Sequence, residues 1–391
     1  MIDQTIARRI SQLTRYIRDI SGKVWNQDPQ RSVNAIVLKV LIVLLPLLAF
    51  FTKLTRYIRD IGVKAWNEDP QRGVNAIVLA VLIVLPPLAF LMGQTFWLDV
   101  ATRLVILSIA AVSLNLVLGY GGMISFGHAA FIGIGAYAVG IPSYHALYGG
   151  FESAASHNGF WHFALAIAVS AVFALITGAI SLRTRGVHFI MITMAFGQMA
   201  FFAVLSLETY GGDDGLTIDT RSELPLISLD DPLQLYGFCL AMLFLALFMV
   251  HRIVNSRFGM VLQSARQNEE RTCALGFNAY IYKLTAYVIS GALCGVAGAL
   301  LGNFTTFISP EMMDWTRSGE LMFMVILGGA AHLFGPLIGT AVFLLLEEVL
   351  SRFTVHWHLP FGIMLVLAVL FMRGGLSGAL SRWLDRGVGK S

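Results

Sequence analysis

Residues Ser264 to Gly276 read SARQNEERTCALG, a charged island in a chain where only 13% of residues are charged. It lies between two apolar segments, 235–254 and 284–303. Each is about the ~20 residues that cross a hydrocarbon core as a helix. Arg266 stands four residues before Glu270, the spacing of an opposite-charge pair on one helix face. Ala265, Thr272 and Leu275 occupy less polar positions, and Gly276 suits a helix end. A connection of this kind reads either as a solvated loop with helical propensity or as a short surface helix built to dock on another protein.

Composition sets the class around it. Hydrophobic residues make up 57% of the chain and the mean hydropathy is +0.73, far from a soluble domain. Apolar segments recur at 74–93, 96–118, 124–147, 159–182, 187–206, 235–254, 284–303, 312–330, 337–350 and 359–373. The expected fold is all-α, a polytopic membrane helix bundle of about ten core transmembrane helices. The formal charge of +4 is scattered over loops and gives no nucleic-acid footprint. Cys239, Cys273 and Cys294 have no metal-site or disulfide spacing. The first 31 residues are polar and arginine-rich, with no early apolar core of the kind a cleavable signal has.

Charge orients the segments. The connection 207–234 carries Glu208, Asp213, Asp214, Asp219, Glu223, Asp230 and Asp231 against Arg221. The connection 251–283 carries Arg252, Arg257, Arg266, Arg271 and Lys283. Lysine and arginine mark the cytoplasmic side, so the first connection is expected outside and the second inside. Counting from there puts Arg183 and Arg185 inside. The tail with Arg373, Arg382, Arg386 and Lys390 follows if 312–350 crosses twice, broken between Gly328-Gly329 and Gly335-Pro336. Both ends of the core are then cytoplasmic.

The amino terminus is duplicated. Leu13–Pro46 recurs as Leu54–Pro87, with LTRYIRDI, WN, DPQR and VNAIVL identical and only seven aligned positions differing. Lys39 interrupts the first apolar copy where Ala80 stands in the second, a cost of about 2–3 kcal/mol at mid-membrane. The second copy is therefore taken as the first core helix. The expected organisation is an amino-terminal region 1–73, a transmembrane domain 74–380 and a tail 381–391.

Gly291, Gly295, Gly298 and Gly302 give two GxxxG spacings, the pattern of close helix packing in lipid. Glycine is also dense from Gly119 to Gly140, where Ser125, Gly127 and His128 fall at membrane depth. Glycine-loosened helices with polar groups line pathways in transporters. Ser125, Gly127, His128, Thr193 and Gln198 are therefore the candidate path residues. His128 reads more readily as an interhelical hydrogen-bonding histidine than as a substrate contact. Enzyme chemistry finds no support: there is no HExxH and no nucleophile elbow. The terminal GVGKS has Leu384 where a phosphate-binding loop needs its first glycine. Nothing in the residues calls for a cofactor or a metal.

Val74 to Leu380 resembles the permease subunits of high-affinity branched-chain amino acid ABC importers, in particular the LivM-like member of the pair. The resemblance rests on LNLVLGYGGMISFGHAAFIGIGAYAVG (Leu114–Gly140), RGVHFIMITMAFGQM (Arg185–Met199) and YGGDDGL (Tyr210–Leu216). It continues through ARQNEERTCALG (Ala265–Gly276), YKLTAYVISGALCGVAGAL (Tyr282–Leu300), ISPE (Ile308–Glu311) and VILGGAAHLFGPLIG (Val325–Gly339). The duplicated amino terminus lies outside this pattern, and FMRGGLSG stands where such permeases more often carry proline near Met372. The resemblance implies a non-enzymatic transport subunit of the bacterial inner membrane. It would work with a second permease, two cytoplasmic ATP-binding subunits and a periplasmic binding protein. It implies that Arg266, Asn268, Glu269, Leu275 and Gly276 couple the permease to the ATPase. Importers of urea, amides or aromatic acids share the pattern. A secondary transporter would need coupling-ion sites at mid-membrane, for which only His128 and His188 are placed.

Overall fold

The structure, a computed structural model, describes residues 70–149, 158–224 and 228–353 apart from 92 and 94, with isolated positions from 356 to 378. The chain divides into two compact units, Met1–Ala80 and Val81–Ser391. The first duplicate copy, the tail 381–391 and most of the segment 359–373 lie outside the described residues. The apolar part of the second copy is helical within α1 (Pro70–Leu91), which carries Pro86 and Pro87 near its end.

Helices follow the remaining apolar segments: α2 (Thr95–Asn115), α3 (His128–Tyr148), α4 (Gly159–Ser181), α5 (Val187–Leu205) and α6 (Pro232–Val254). Two short helices follow, α7 (Arg257–Gln267) and α8 (Glu269–Ala274), then α9 (Ala279–Thr305), α10 (Trp315–Gly328) and α11 (Gly335–Phe353). Among the described residues, α2 to α6 and α9 are long and apolar enough to cross a membrane. The glycine-dense region interrupts helix only before His128; Gly133, Gly135 and Gly140 lie within the unbroken α3. α2 runs into a π-helical turn at Leu116–Tyr120, and the chain stays irregular until His128.

The centre of the bundle is α2, α3 and α9, whose spans are 78%, 72% and 61% buried, against 22% for α5 at the edge. Apolar burial does not drive helices together in lipid, so close backbone approach must. A Cβ on Gly135 of α3 would overlap the carbonyl of Gly295, and one on Gly298 would overlap that of Ile132. The glycine spacing of α9 thus wedges this helix against α3 on one side. On the other, Gly295 leaves room for Ser170 of α4.

The two ends of the bundle are distinct. At the acidic end, β1 (Leu216–Thr217) pairs antiparallel with β2 (Phe307–Ile308), and His145 of α3 meets the Tyr210 hydroxyl at 2.9 Å. At the basic end, Arg185 of the α4–α5 connection lies 3.5 Å from Glu269 of α8. The connections that charge placed on one side therefore share one end.

The segment expected at 312–330 departs from a full crossing. α10 has 14 residues, about 21 Å at 1.5 Å each, short of a ~30 Å core. It starts at depth, after a 3₁₀ turn Pro310–Met313 and the extended Asp314. Gly133 of α3 accommodates the Met313 side chain at the end of that turn. The break to α11 falls where the glycines placed it: Gly328 packs against Gly335 and Gly339.

Candidate functional site

The charged island forms a helical hairpin at the basic end. α7 starts on Ser256, whose Oγ accepts from Gly259 N at 3.4 Å. It stops at Gln267, because Asn268 is extended (φ −155, ψ 106) and its Oδ1 accepts from Arg271 N at 2.9 Å. A short polar side chain that bonds the backbone ahead of it competes with helix and favours a cap. The expected Arg266–Glu270 pair on one helix is therefore not formed: the two residues lie on different helices. Arg266 donates instead to the carbonyl oxygen of Gly119 in the π turn. Glu269 receives Lys283 Nζ of α9 at 3.0 Å and Arg185 Nε at 3.5 Å.

The hairpin has an inner and an outer face. Ala265 and Thr272 are buried, and the hydroxyls of Ser264 and Thr272 meet at 2.9 Å. Past α8, Leu275 is 68% exposed, Gly276 turns the chain at φ +88, and Phe277 is exposed beside them. Of the three less polar positions read from sequence, Leu275 alone is offered outward. Arg266, Asn268, Leu275 and Gly276 are all exposed, while Glu269 is half-buried by its ion pairs.

Four of the five candidate path residues meet around the start of α3. Thr193 Oγ1 donates to Ile190 O at 2.9 Å and accepts from Phe126 N at 3.3 Å. A Cβ on Gly127 would overlap the Thr193 carbonyl, so α5 crosses here on bare backbone. Ser125 Oγ accepts from Gly127 N at 3.4 Å. His128 Nε2 lies 2.8 Å from Ser290 Oγ, which itself donates to Ser113 O at 2.6 Å. With its one proton committed to Ser113, Ser290 must accept, so His128 carries its proton on Nε2. Phe131 and Tyr287 stand edge-on to the imidazole, and its Nδ1 is buried with no partner. Ser125, His128 and Thr193 are all buried.

Gln198 stands apart from those four, and its Nε2 donates to Asp314 Oδ1 at 2.9 Å. Asp314 opens a charged face that the sequence reading missed. Arg317 pairs with Glu320 at 3.0 Å, and Arg103 of α2 pairs with Glu347 of α11 at 3.1 Å. The Arg317 and Arg103 side chains are 47% and 44% exposed, although Arg103 sits inside an apolar span. Charge at membrane depth turns to a polar partner or a water-filled space. The legible signal was Arg103 one turn after Asp99 in one apolar segment and the pair Glu347-Glu348 in another; the pairing of Arg103 with Glu347 across 244 residues was not legible. Among the described residues no group of histidine, cysteine and carboxylate side chains could hold a metal, and all three cysteines are free.

Residues 96–371 match the family described as the branched-chain amino acid transport system / permease component. The chain belongs to this family. Its family region begins at α2 and so leaves α1 and the duplication outside it. The high-affinity branched-chain amino acid transport system permease protein LivM of Salmonella typhimurium is 28% identical over 71% of this chain and 69% of its own length. LivM of Escherichia coli is 27% identical over the same shares. A probable LivM of Methanocaldococcus jannaschii is 25% identical over 68% of this chain and 89% of its own. The Escherichia coli permease protein LivH is also similar, 28% identical over 36% of this chain and 44% of its own. No solved structure matches. The chain is thus a LivM-like, multi-pass membrane permease subunit of the ABC class.

Proposed function

We propose that this permease is the LivM-like half of an ATP-driven importer that takes up branched-chain or related hydrophobic amino acids. A periplasmic binding protein delivers the solute at the acidic end, and a second permease completes the path. Two ATP-binding subunits sit at the basic, cytoplasmic end of a bundle held in the inner membrane. The observation that carries this reading is the α7–α8 hairpin. Its inner face is pinned by Glu269 to Lys283 and Arg185 and by Arg266 to Gly119, while Leu275 and Phe277 project outward. A surface element tied to three parts of the bundle, with a free apolar tip, suits transmission of a push from a partner. In this reading Ser125, Gly127 and Thr193 frame the path, His128 braces α3 against α9 behind it, and Gln198 with Asp314 borders it.

The test uses the full complex in proteoliposomes, with leucine and the cognate binding protein supplied outside. Glu269→Ala and Arg266→Ala are expected to lower leucine taken up per ATP hydrolysed while the permease remains folded. Wild-type stoichiometry in both variants would remove the hairpin as the coupling element. Competition by urea, amides and aromatic acids against labelled leucine reads the solute class in the same vesicles.

A further inference from the structure

The hairpin's contact with Gly119 leads further into the bundle. Gly119 is part of the π-helical turn Leu116–Tyr120 that ends α2, and Asn115 is the residue before that turn. Asn115 is buried, and its side-chain amide makes two long-range bonds to the turn between α10 and α11. Its Nδ2 donates to His332 O at 2.9 Å, and its Oδ1 accepts from Ala331 N at 3.0 Å. Ala331 holds φ +66, a left-handed conformation that costs a non-glycine residue energy unless its surroundings impose it. Gly119 lies directly against this clamp: a Cβ on it would overlap both Asn115 Oδ1 and Ala331 N. One residue thus receives Arg266 on its carbonyl and abuts the Asn115–Ala331 bond at its Cα.

We infer that Asn115 is a positioning residue for transport. With the π turn it links the Arg266 end of the coupling hairpin to the α10–α11 turn. Resting on the reading of the hairpin given above, this assigns the destination of its motion. A π turn accommodates one more residue than the α-helix around it, so it is a point where helix register can change by one residue. Displacement of Arg266 acts on the Gly119 carbonyl, and the Asn115 amide transmits it to Ala331 and His332. Those two residues sit at the foot of α10. The other end of that helix carries Asp314, bound to Gln198. α10 is short and starts at depth, so movement at its foot shifts the Gln198–Asp314 contact and the charged face beside it.

The experiment uses the complete transporter in proteoliposomes, with leucine and its binding protein. Asn115→Ala is expected to keep ATP hydrolysis and lower leucine uptake per ATP several-fold. Asn115→Asp, which keeps the acceptor for Ala331 N, is expected to recover part of it. Arg266→Ala combined with Asn115→Ala should be no worse than the poorer single variant, because both cut one route. Losses that multiply in the double variant would overturn the inference. A second measurement does not depend on the Asn115 variants folding. His332→Cys, in a background with Cys273 replaced by serine, is labelled by an impermeant maleimide in nucleotide-free and vanadate-trapped complexes. The labelling rate should differ between the two states, and adding Arg266→Ala should abolish the difference. If Arg266→Ala uncouples transport while labelling at 332 still follows nucleotide, the inference fails and the hairpin reading stands. If Arg266→Ala leaves uptake per ATP unchanged, the inference fails; if Glu269→Ala leaves it unchanged as well, both fail together.

Discussion

Gln198 of α5 and Asp314 at the head of α10 are joined by a 2.9 Å hydrogen bond across 116 residues of sequence. Asp314 also accepts from the Thr316 hydroxyl, so the carboxylate is held by one partner on its own helix and one on a neighbour. Gln198→Leu removes the neighbour alone. Loss of this charge-assisted hydrogen bond loosens the head of α10 against α5, and leucine uptake is expected to fall several-fold in the assembled complex. Wild-type uptake by this variant would take the contact off the path.

Glu269 has two cationic partners, and their removal should be graded. Lys283→Met removes the 3.0 Å contact and leaves Arg185 at 3.5 Å, whereas Glu269→Ala removes both. Each partly screened ion pair contributes on the order of 1 kcal/mol. Retention of the ATP-binding subunits on heating should therefore fall more for Glu269→Ala than for Lys283→Met. The reverse order would mean that Lys283 acts elsewhere.

Orientation follows from thiol chemistry. Cys239 and Cys294 are buried, which leaves Cys273 as the exposed native thiol. Asp214→Cys, at the acidic end, should react with an impermeant maleimide in intact cells, and Cys273 should react only after the membrane is opened. The opposite pattern would invert the bundle and place the hairpin on the wrong side for ATP.

His128 joins α3 to α9 and, through Ser290, to α2. His128→Ala leaves the Ser290 hydroxyl without its donor and opens a cavity beside Phe131 and Tyr287, a loss of about 2–4 kcal/mol. The expected result is a lower midpoint of thermal unfolding, with near wild-type uptake per surviving complex. An unchanged midpoint with lost uptake would make the imidazole a substrate contact.

The duplication is tested by deletion. Removal of residues 1–53 keeps Arg56, Arg59 and Lys64 ahead of α1 and Arg72 in its first turn, and should preserve uptake. Removal of 54–94 brings the copy with Lys39 next to Thr95 and should impair it. Equal uptake by the two deletions would show the copies to be interchangeable.

Sequence alone determined the membrane class, the positions of α2 to α6 and α9 and the sharing of ends by their connections. Those properties follow from local hydropathy and from the sign of charge in each connection, which need no knowledge of packing. It also located the charged island, though not its break into two helices at Asn268, and the close-packing glycines of α9, since a run of charge and a four-residue glycine spacing are local signals. Tertiary structure decided the partners. Arg266 and Glu270 stand at helical spacing, yet Asn268 breaks the helix between them, and Arg266 bonds instead to Gly119, far away in sequence. Arg103 meets Glu347, Gln198 meets Asp314, and Asn115 meets the turn at Ala331 only because α10 starts at depth and α11 folds back beside α2. Long-range pairing of buried polar groups depends on which backbones approach closely, and hydropathy carries no record of that.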